Sequence, residues 1–393
     1  MFLDCHQCDL DYLRRNVGWV DYMRDRTDAD LHVLVTVQGT GGGGLAWNVN
    51  VIGLGRFASH DHTHTFTTPQ TATSDDHRRE FARVFKLALV DYAAESPLMS
   101  ELDVTWRPPA TGGPAQPQHD PWNYWVFRSS AGGSSSGERQ NTSSSYRVSF
   151  SANRVTEDWK ISLSGNSSIN RSEFEVDDTT TVESRRDSWS TNGLVVKSLG
   201  PKWSLGGRVS LSHSSFSNTD RALTVAPGIE YDFFPYAESS QRSLTVQYTI
   251  GVLHNTYREI TVFDKLTDTV PNHAVTLSLG LRQPWGSVGA QASYQQHLNN
   301  TDRYRASLFG NTDVRLFRGF SFNVFASYNK INDQISLPKG GATRDEILLR
   351  LRQLATNYSY SVSFGLSYSF GSIYNNIVNP RFGGGSGEIF IFF

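Results

Sequence analysis

Alternation of apolar and polar residues with a period of two constrains this chain more than any other feature. In the stretch FSFNVFASYN, which begins at Phe320, Phe322 and Val324 point to one side of an extended strand and Ser321 and Asn323 to the other. The stretch YSVSFGLSYSF, residues 360–370, repeats the pattern with large apolar residues against serine and glycine. Each segment therefore predicts a strand with one apolar and one polar face.

The same period recurs from residue 122 to about residue 370. It predicts twelve strands, an even number, with the approximate bounds 122–130, 141–153, 159–171, 185–198, 202–216, 221–234, 241–256, 272–283, 286–298, 302–317, 320–332 and 357–370. Most of these segments reach the roughly 9 to 11 residues that a tilted strand needs to cross a bilayer.

Composition limits where such strands can reside. The mean hydropathy is −0.40, and the sequence has no apolar run of roughly 18 residues, which excludes a helical membrane protein. A membrane barrel remains compatible, because its polar lumen face lowers the average. Hydrocarbon offers no partner for backbone N–H and C=O groups, so extended segments can span it only when the sheet closes and pairs every edge. We therefore expect closure around a hydrophilic interior.

Connection lengths and aromatic residues support an up-and-down arrangement. Short connections alternate with generally longer polar ones, such as residues 174–186 and 256–272, and the longest runs from 330 to 357. Aromatic residues beside the short turns and beside the long loops would form two belts at membrane–water interfaces. The candidates for these interfacial positions are Trp159, Trp203, Trp285, Tyr304, Tyr328 and Tyr360.

On these features residues 122–382 resemble the bacterial outer-membrane β-barrel class. The resemblance implies short periplasmic turns, long outer loops and outer-membrane lipid as a partner. That class usually ends on an aromatic residue, for which Phe382 and Phe393 are both candidates, with residues 383–393 left as a tail. The start of the chain also looks like a group of uncharacterised barrel proteins that carry an N-terminal periplasmic α/β domain.

Residues 1–106 are mixed in character and predict a small α+β domain. A helix with Asp9 as its N-cap is expected through Val20 and as far as Met23, and a second helix is expected from Ser74. Three strands lie between the helices, and residues 101–108 would add a closing strand. Residues 107–121 are rich in proline and glycine and are interpreted as a linker. Because twelve strands return both barrel ends to one side, this domain should be periplasmic.

Charged residues on the polar face are the candidates for chemistry in the lumen. In an open pore they would set ion preference, whereas in a plugged barrel they would pair with one another. These lumen candidates are Arg147, Lys160, Arg208, Glu230, Asp232, Arg282, Arg305, Asp313 and Arg315.

Three motifs in the N-terminal domain have stronger structural than chemical interpretations. Cys5 and Cys8 have C-x-x-C spacing, but without a second pair a local disulfide or two free thiols is favoured over redox or metal chemistry. His60, His62 and His64 would share one strand face and are weak metal candidates. Residues 39–44, GTGGGG, lack the lysine and helix of a phosphate loop and indicate a hairpin connection.

No catalytic residues and no cofactor follow from the sequence, so we expect no enzyme. A net charge of −2 and a pI near 6.6 disfavour nucleic acid as a partner. The first residues lack the features of a secretory signal, which suggests a mature or truncated chain of a bacterial outer-membrane protein. Two functions remain open: a passive or gated channel for small polar solutes or ions, and an anchor whose residues 1–106 recruit an envelope partner.

Overall fold

A computed structural model describes residues 1–101, 103, 120–177, 180–340, 353–379 and 381. Phe382, Phe393 and the tail 383–393 lie outside these residues, as do most of the closing strand expected at 101–108 and most of the linker expected at 107–121. Most of residues 344–354, where the sequence RDEILLRLRQL would allow a helix, lies outside them as well. The domain bounds therefore stay predictions. Among the described helices, none combines the length and the apolar character that crossing a membrane requires.

The N-terminal domain is a four-stranded sheet with two helices. Its strands follow the order β1-β2-β3-β4, in which β1 is parallel to β2 and the other pairs are antiparallel. The elements are β1 (Phe2–Asp4), α1 (Leu10–Asn16), β2 (Leu31–Gly39), β3 (Leu45–Gly53), β4 (His62–Thr68) and α2 (Ser74–Ala94). The sequence did not predict β1, which is only three residues long.

Both helix starts follow from capping, and the end of the first helix is the one correction to the predicted bounds. The carboxylate of Asp9 accepts a hydrogen bond from the backbone N–H of Tyr12, so the predicted N-cap of α1 is confirmed. The helix ends at Asn16, however, and Met23 instead forms an isolated bridge with Tyr374. The second helix begins at Ser74, as predicted, and its N-cap is Thr73, which forms a reciprocal capping box with Asp76.

The two faces of the N-terminal sheet are buried by different parts of the protein. Val33 and Val49 pack with Phe81 and Phe85 of α2 in one apolar core, where each buried side chain contributes about 1.5–3 kcal/mol. Residues of β2 on the opposite face are buried as well, although α2 does not cover them. They are His32, Leu34 and Thr36. This second face is turned towards the large sheet, and Leu34 and Thr36 line a cavity between the two.

The large sheet contains twelve antiparallel strands joined in consecutive order, which confirms the predicted strand number and up-and-down topology. The strands are β5 (Trp125–Glu138), β6 (Asn141–Val155), β7 (Trp159–Asp177), β8 (Thr180–Ser198), β9 (Trp203–Ser214), β10 (Thr219–Asp232), β11 (Arg242–Tyr257), β12 (Thr267–Gln283), β13 (Gly286–His297), β14 (Tyr304–Phe317), β15 (Phe320–Ile331) and β16 (Tyr358–Tyr368).

Several strands are longer than the alternation predicts, at the end away from the short turns. Residues 174–177 and 180–186, within a stretch expected to be a loop, instead extend β7 and β8 to 19 residues each. In the next long connection, residues 256–257 belong to β11 and residues 267–272 belong to β12. The extensions are rich in Ser, Thr, Arg and Glu on both faces, so they show no apolar period. Backbone ladders form without one, because the hydrogen bonds of a sheet do not depend on side-chain polarity.

The first and last strands, β5 and β16, are the two ends of this sheet, and no ladder joins them in the described ranges. The expected closure is thus not formed here. Both faces of β16 are exposed, and so is most of β5. Two rows of backbone N–H and C=O groups consequently lack ladder partners, a state that hydrocarbon does not tolerate.

We therefore predict that β5 and β16 pair within a bilayer. With Cys5 and Cys8 replaced by serine, Ser130→Cys is combined in turn with Ser359→Cys, Ser361→Cys and Ser363→Cys, all on the polar face. One combination should form an intramolecular disulfide in high yield under mild oxidation, detected by altered mobility on non-reducing gels. The control combines Ser130→Cys with Val362→Cys, which lies on the apolar face of β16 and should not form the disulfide. Crosslinks between two chains, or none, would contradict closure.

Candidate functional site: the two faces and two mouths of the large sheet

One face of the large sheet is an exposed apolar wall. In β16, Phe364 is 74% and Leu366 is 63% exposed, and the alternating large residues of the neighbouring strands continue the same surface. Soluble proteins rarely expose contiguous apolar patches above a few hundred Å². With the twelve up-and-down strands, this wall places the protein in the outer-membrane β-barrel class.

The predicted interfacial aromatics lie at opposite ends of this wall. Trp159 and Trp203 are the first residues of β7 and β9, and Trp285 lies in the short turn before β13. Lys197 lies over the Trp159 ring, with Nζ 5.5 Å from its centroid. Near the other end, the rings of Tyr294 and Tyr304 stack, and Tyr328 lies opposite Tyr360 in the ladder. Their membrane role stays a prediction.

The nine lumen candidates lie opposite the apolar wall, and we call this polar side the inner face. Only two of the nine form ion pairs within the described part of the chain, and these two lie at opposite ends of β14. Arg305 binds Asp333, and Arg315 binds Asp4. The cations without an ion pair there are Arg147, Lys160, Arg208 and Arg282.

Arg315 connects the inner face to the N-terminal domain. Its Nη1 and Nη2 donate to the two carboxylate oxygens of Asp4, at 2.5 and 2.7 Å, and its guanidinium lies over the Phe2 ring. His32 Nε2 lies 3.5 Å from Asp4 Oδ2. Burial alone would raise the pKa of Asp4, but the nearby His32 ring and the hydrogen bonds and charge of Arg315 hold that pKa well below its usual range.

Further contacts hold the domain against the short-turn end of the sheet. Arg318 forms an ion pair with Asp28 at 2.8 Å, and the backbone N–H of Gly319 donates to Asp25 Oδ2. The segment after β16 also joins the domain, since Arg24 N–H donates to the Ile373 carbonyl at 2.8 Å. The domain therefore occupies the mouth formed by the short turns.

The glycine-rich hairpin between β2 and β3 contacts the first strands of the large sheet, also at the short-turn end but at the opposite lateral edge from β16. A Cβ on Gly41 would overlap the side chain of Val155, at the end of β6, and one on Gly42 would lie 3.7 Å from Val126 in β5. Gly43 has a φ of +78°, which favours glycine. The predicted hairpin is confirmed, and its missing side chains allow this close approach.

A cavity of about 160 Å³ separates the domain from the inner face. Asp4, Leu34 and Thr36 line it from the domain side, and Arg282, Asp313 and Arg315 line it from the sheet. Three of the lumen candidates thus meet at the short-turn mouth, in contact with a domain whose involvement the sequence did not reveal.

The segment 332–340, after β15, lies over the opposite mouth. Arg305 on β14 donates to Asp333 through Nε at 3.1 Å and Nη2 at 2.9 Å. Farther along, the Ser336 carbonyl accepts from Asn218, just before β10, and Pro338 forms a bridge with Thr261. Buried inner-face residues of β11 to β13 lie at this end. They are Asn255, Tyr257, Val270, Asn272 and His297.

The histidine motif packs against α2, whereas the cysteine motif lies beside the cavity at the short-turn mouth. The rings of His60 and His62 lie 4.7 Å apart and both contact Tyr92 of α2. No group of three or more metal-ligating side chains was found among the described residues, and the metal interpretation of His60, His62 and His64 stays untested. Cys5 and Cys8 form a local disulfide, one of the two alternatives that the sequence left open, and Cys5 lines the cavity.

Two inner-face phenylalanines were not recognised from the sequence. Phe325 belongs to FSFNVFASYN, where it breaks the alternation, and Phe309 occupies the same face of β14. Their rings meet edge to face, with centroids 5.4 Å apart and an interplanar angle of 79°. Both rings lie near the middle of the inner face, at a level between Arg305 and Arg315. The break in alternation was the signal that could have identified Phe325.

Comparison with solved structures gives only distant similarities. The translocator domain of the autotransporter NalP from Neisseria meningitidis is 13% identical, with a TM-score of 0.19, and the match covers 63% of this chain and 82% of that domain. CdiB from Acinetobacter baumannii is 10% identical, with a TM-score of 0.28, and the match covers 87% of this chain and 60% of CdiB.

Comparison with curated proteins gives no significant match. A family model described as a protein of unknown function, DUF481, matches residues 131–370, which is more than half of the chain and includes nearly all of the large sheet. The chain therefore belongs to the DUF481 family.

Proposed function

We propose that this protein is a gated channel for small polar solutes across the bacterial outer membrane. The N-terminal domain is proposed to be periplasmic and to cover the channel mouth. The bidentate contact between Asp4 and Arg315 is the observation that carries the proposal, because it joins the N-terminal domain directly to a charged residue of the inner face.

The charges of the inner face support transport rather than passive anchoring. Arg147, Lys160 and Arg208 face water without an ion pair in the described ranges. Cations that only stabilised a solid plug would be paired. Unpaired cations on a hydrated wall attract anions and set ion preference.

The orientation is inferred from the end at which the domain docks. It contacts the turn at Gly319 and the segment that follows β16. In outer-membrane barrels the short turns face the periplasm, so a domain on these turns is periplasmic. Segment 332–340 then faces the cell exterior and covers the outer mouth.

A selectivity measurement tests the channel. In planar bilayers, the full chain should conduct, and the triple variant Arg147→Ser, Lys160→Ser, Arg208→Ser should shift the reversal potential in a salt gradient towards cation preference. Arg305 and Arg315 are poorer targets because they are already paired. The control is Arg56→Ser, Arg79→Ser, Arg83→Ser, which removes the same charge from exposed ion pairs of the domain that contribute little to stability.

The rival function is anchoring. A barrel that is electrically silent, both as the full chain and after release of the N-terminal domain, would exclude the channel. Capture of a defined envelope protein through residues 1–101 by the same silent barrel would then support recruitment of a partner.

A further inference from the structure

Phe309 and Phe325 lie in an uncharged part of the inner face. Along β14 the inner positions run from Arg305 through Phe309 and Asn311 to Asp313 and Arg315. Charges therefore flank this central region rather than occupy it. A solute that binds at its centre meets aromatic faces and amides, not a counter-ion.

Two glycines of the neighbouring strands let asparagine amides lie close to the sheet beside the two rings. Asn311 lies opposite Gly289 of β13, and Asn323 lies opposite Gly365 of β16. A Cβ built on either glycine would come within 2.6 Å of the facing asparagine amide oxygen, so each amide lies over a glycine. The two rings therefore have two asparagine amides beside them on the inner face, each lying over a glycine.

Polar side chains border the rings on both sides. Gln291 lies opposite Phe309 and is exposed, and Ser327 lies opposite Phe309 on β15. No hydrogen bond from the side-chain amides of Gln291, Asn311 or Asn323 was found to any other described residue. These groups are available to a solute, and amides both donate and accept hydrogen bonds.

We propose that this region binds a neutral, polyhydroxylated ring compound, that is, a sugar. The faces of the aromatic rings carry negative partial charge and attract the C–H-bearing face of a sugar ring. Sugar hydroxyls both donate and accept, which matches the surrounding amides. An ion would gain nothing here that bulk water does not supply, because no charge of opposite sign lies at the rings.

The inference deepens the proposed channel function and rests on it for its biological meaning, but binding can be measured without conduction. Isothermal titration of raffinose into the full chain, in an amine-oxide detergent with no sugar headgroup, should give saturable binding. Phe309→Ala and Phe325→Ala should each weaken it at least fivefold. Glycerol, a polyol without a ring, should show no saturation.

Two sets of variants distinguish recognition from folding. Phe309→Leu keeps apolar bulk but removes the ring, so it should lose binding while retaining the β-sheet circular dichroism spectrum. Phe322→Ala and Phe364→Ala, on the apolar wall, should bind raffinose like the unmodified chain. Absence of saturable binding, or equal binding by the inner-face and wall variants, would overturn the inference.

Conductance separates this inference from the channel itself. Steady current that raffinose does not block, together with no binding in titration, keeps the channel and refutes the sugar site. Binding by an electrically silent barrel keeps the sugar site and refutes the channel.

Discussion

Asp4→Asn is expected to release the N-terminal domain from the short-turn mouth. The substitution removes the charge that Arg315 contacts through two hydrogen bonds, and breaking a largely buried ion pair costs about 3 kcal/mol. The docking equilibrium should therefore fall about 100-fold. A specific protease site inserted within residues 104–119 makes this measurable, since a docked domain co-purifies with the barrel after cleavage.

Release of the N-terminal domain by Asp4→Asn should also raise the conductance of the barrel. The matched control is Asp28→Asn, because its partner Arg318 is 53% exposed and such pairs contribute about 0–1 kcal/mol. In a double-mutant cycle, Asp4→Asn combined with Arg315→Gln should be little worse than either single change. Additive losses, or conductance that remains unchanged when the domain dissociates, would contradict gating by this contact.

The same contact predicts how docking responds to pH. Docking places Arg315 beside Asp4 and lowers the pKa of that carboxyl, so the contribution of Asp4 to docking is fully present above about pH 4 and is lost progressively as the pH falls further. Co-purification of the cleaved domain should be constant between pH 8 and 5. Loss of docking within that range would exclude Asp4 as the main contact.

Val324→Arg is expected to prevent insertion of the barrel. Val324 lies at the middle of β15 on the apolar wall, where an arginine at the bilayer midplane costs about 2–4 kcal/mol. Asn323→Arg places the same side chain on the adjacent inner-face position and should be tolerated. Folding into lipid vesicles, followed by protection from added protease, measures the difference. Equal behaviour of the two variants would mean that the apolar wall does not face lipid.

The strands were predictable because period two follows directly from strand geometry. The polar extensions of β7 and β8 were not, since ladders form there without an apolar face. Phe325 shows a second limit: the alternation assigns its side, but its partner Phe309 lies on another strand, and only the register brings the rings together. Arg315 was recognised as an inner-face charge, whereas its partner Asp4 lies 311 residues away and carries no local signal.

The docked domain also changes how difficult it is for the large sheet to close. Its hairpin at Gly41 lies against Val155 near the first strands, while Met23 bridges Tyr374 beyond the last one. One small folded unit therefore holds both free edges of the sheet in the same neighbourhood. Pairing β5 with β16 requires the two ends of a long chain segment to come together, which carries an entropy cost. Because the N-terminal domain contacts both ends, docking of the domain already restricts their separation before β5 and β16 pair.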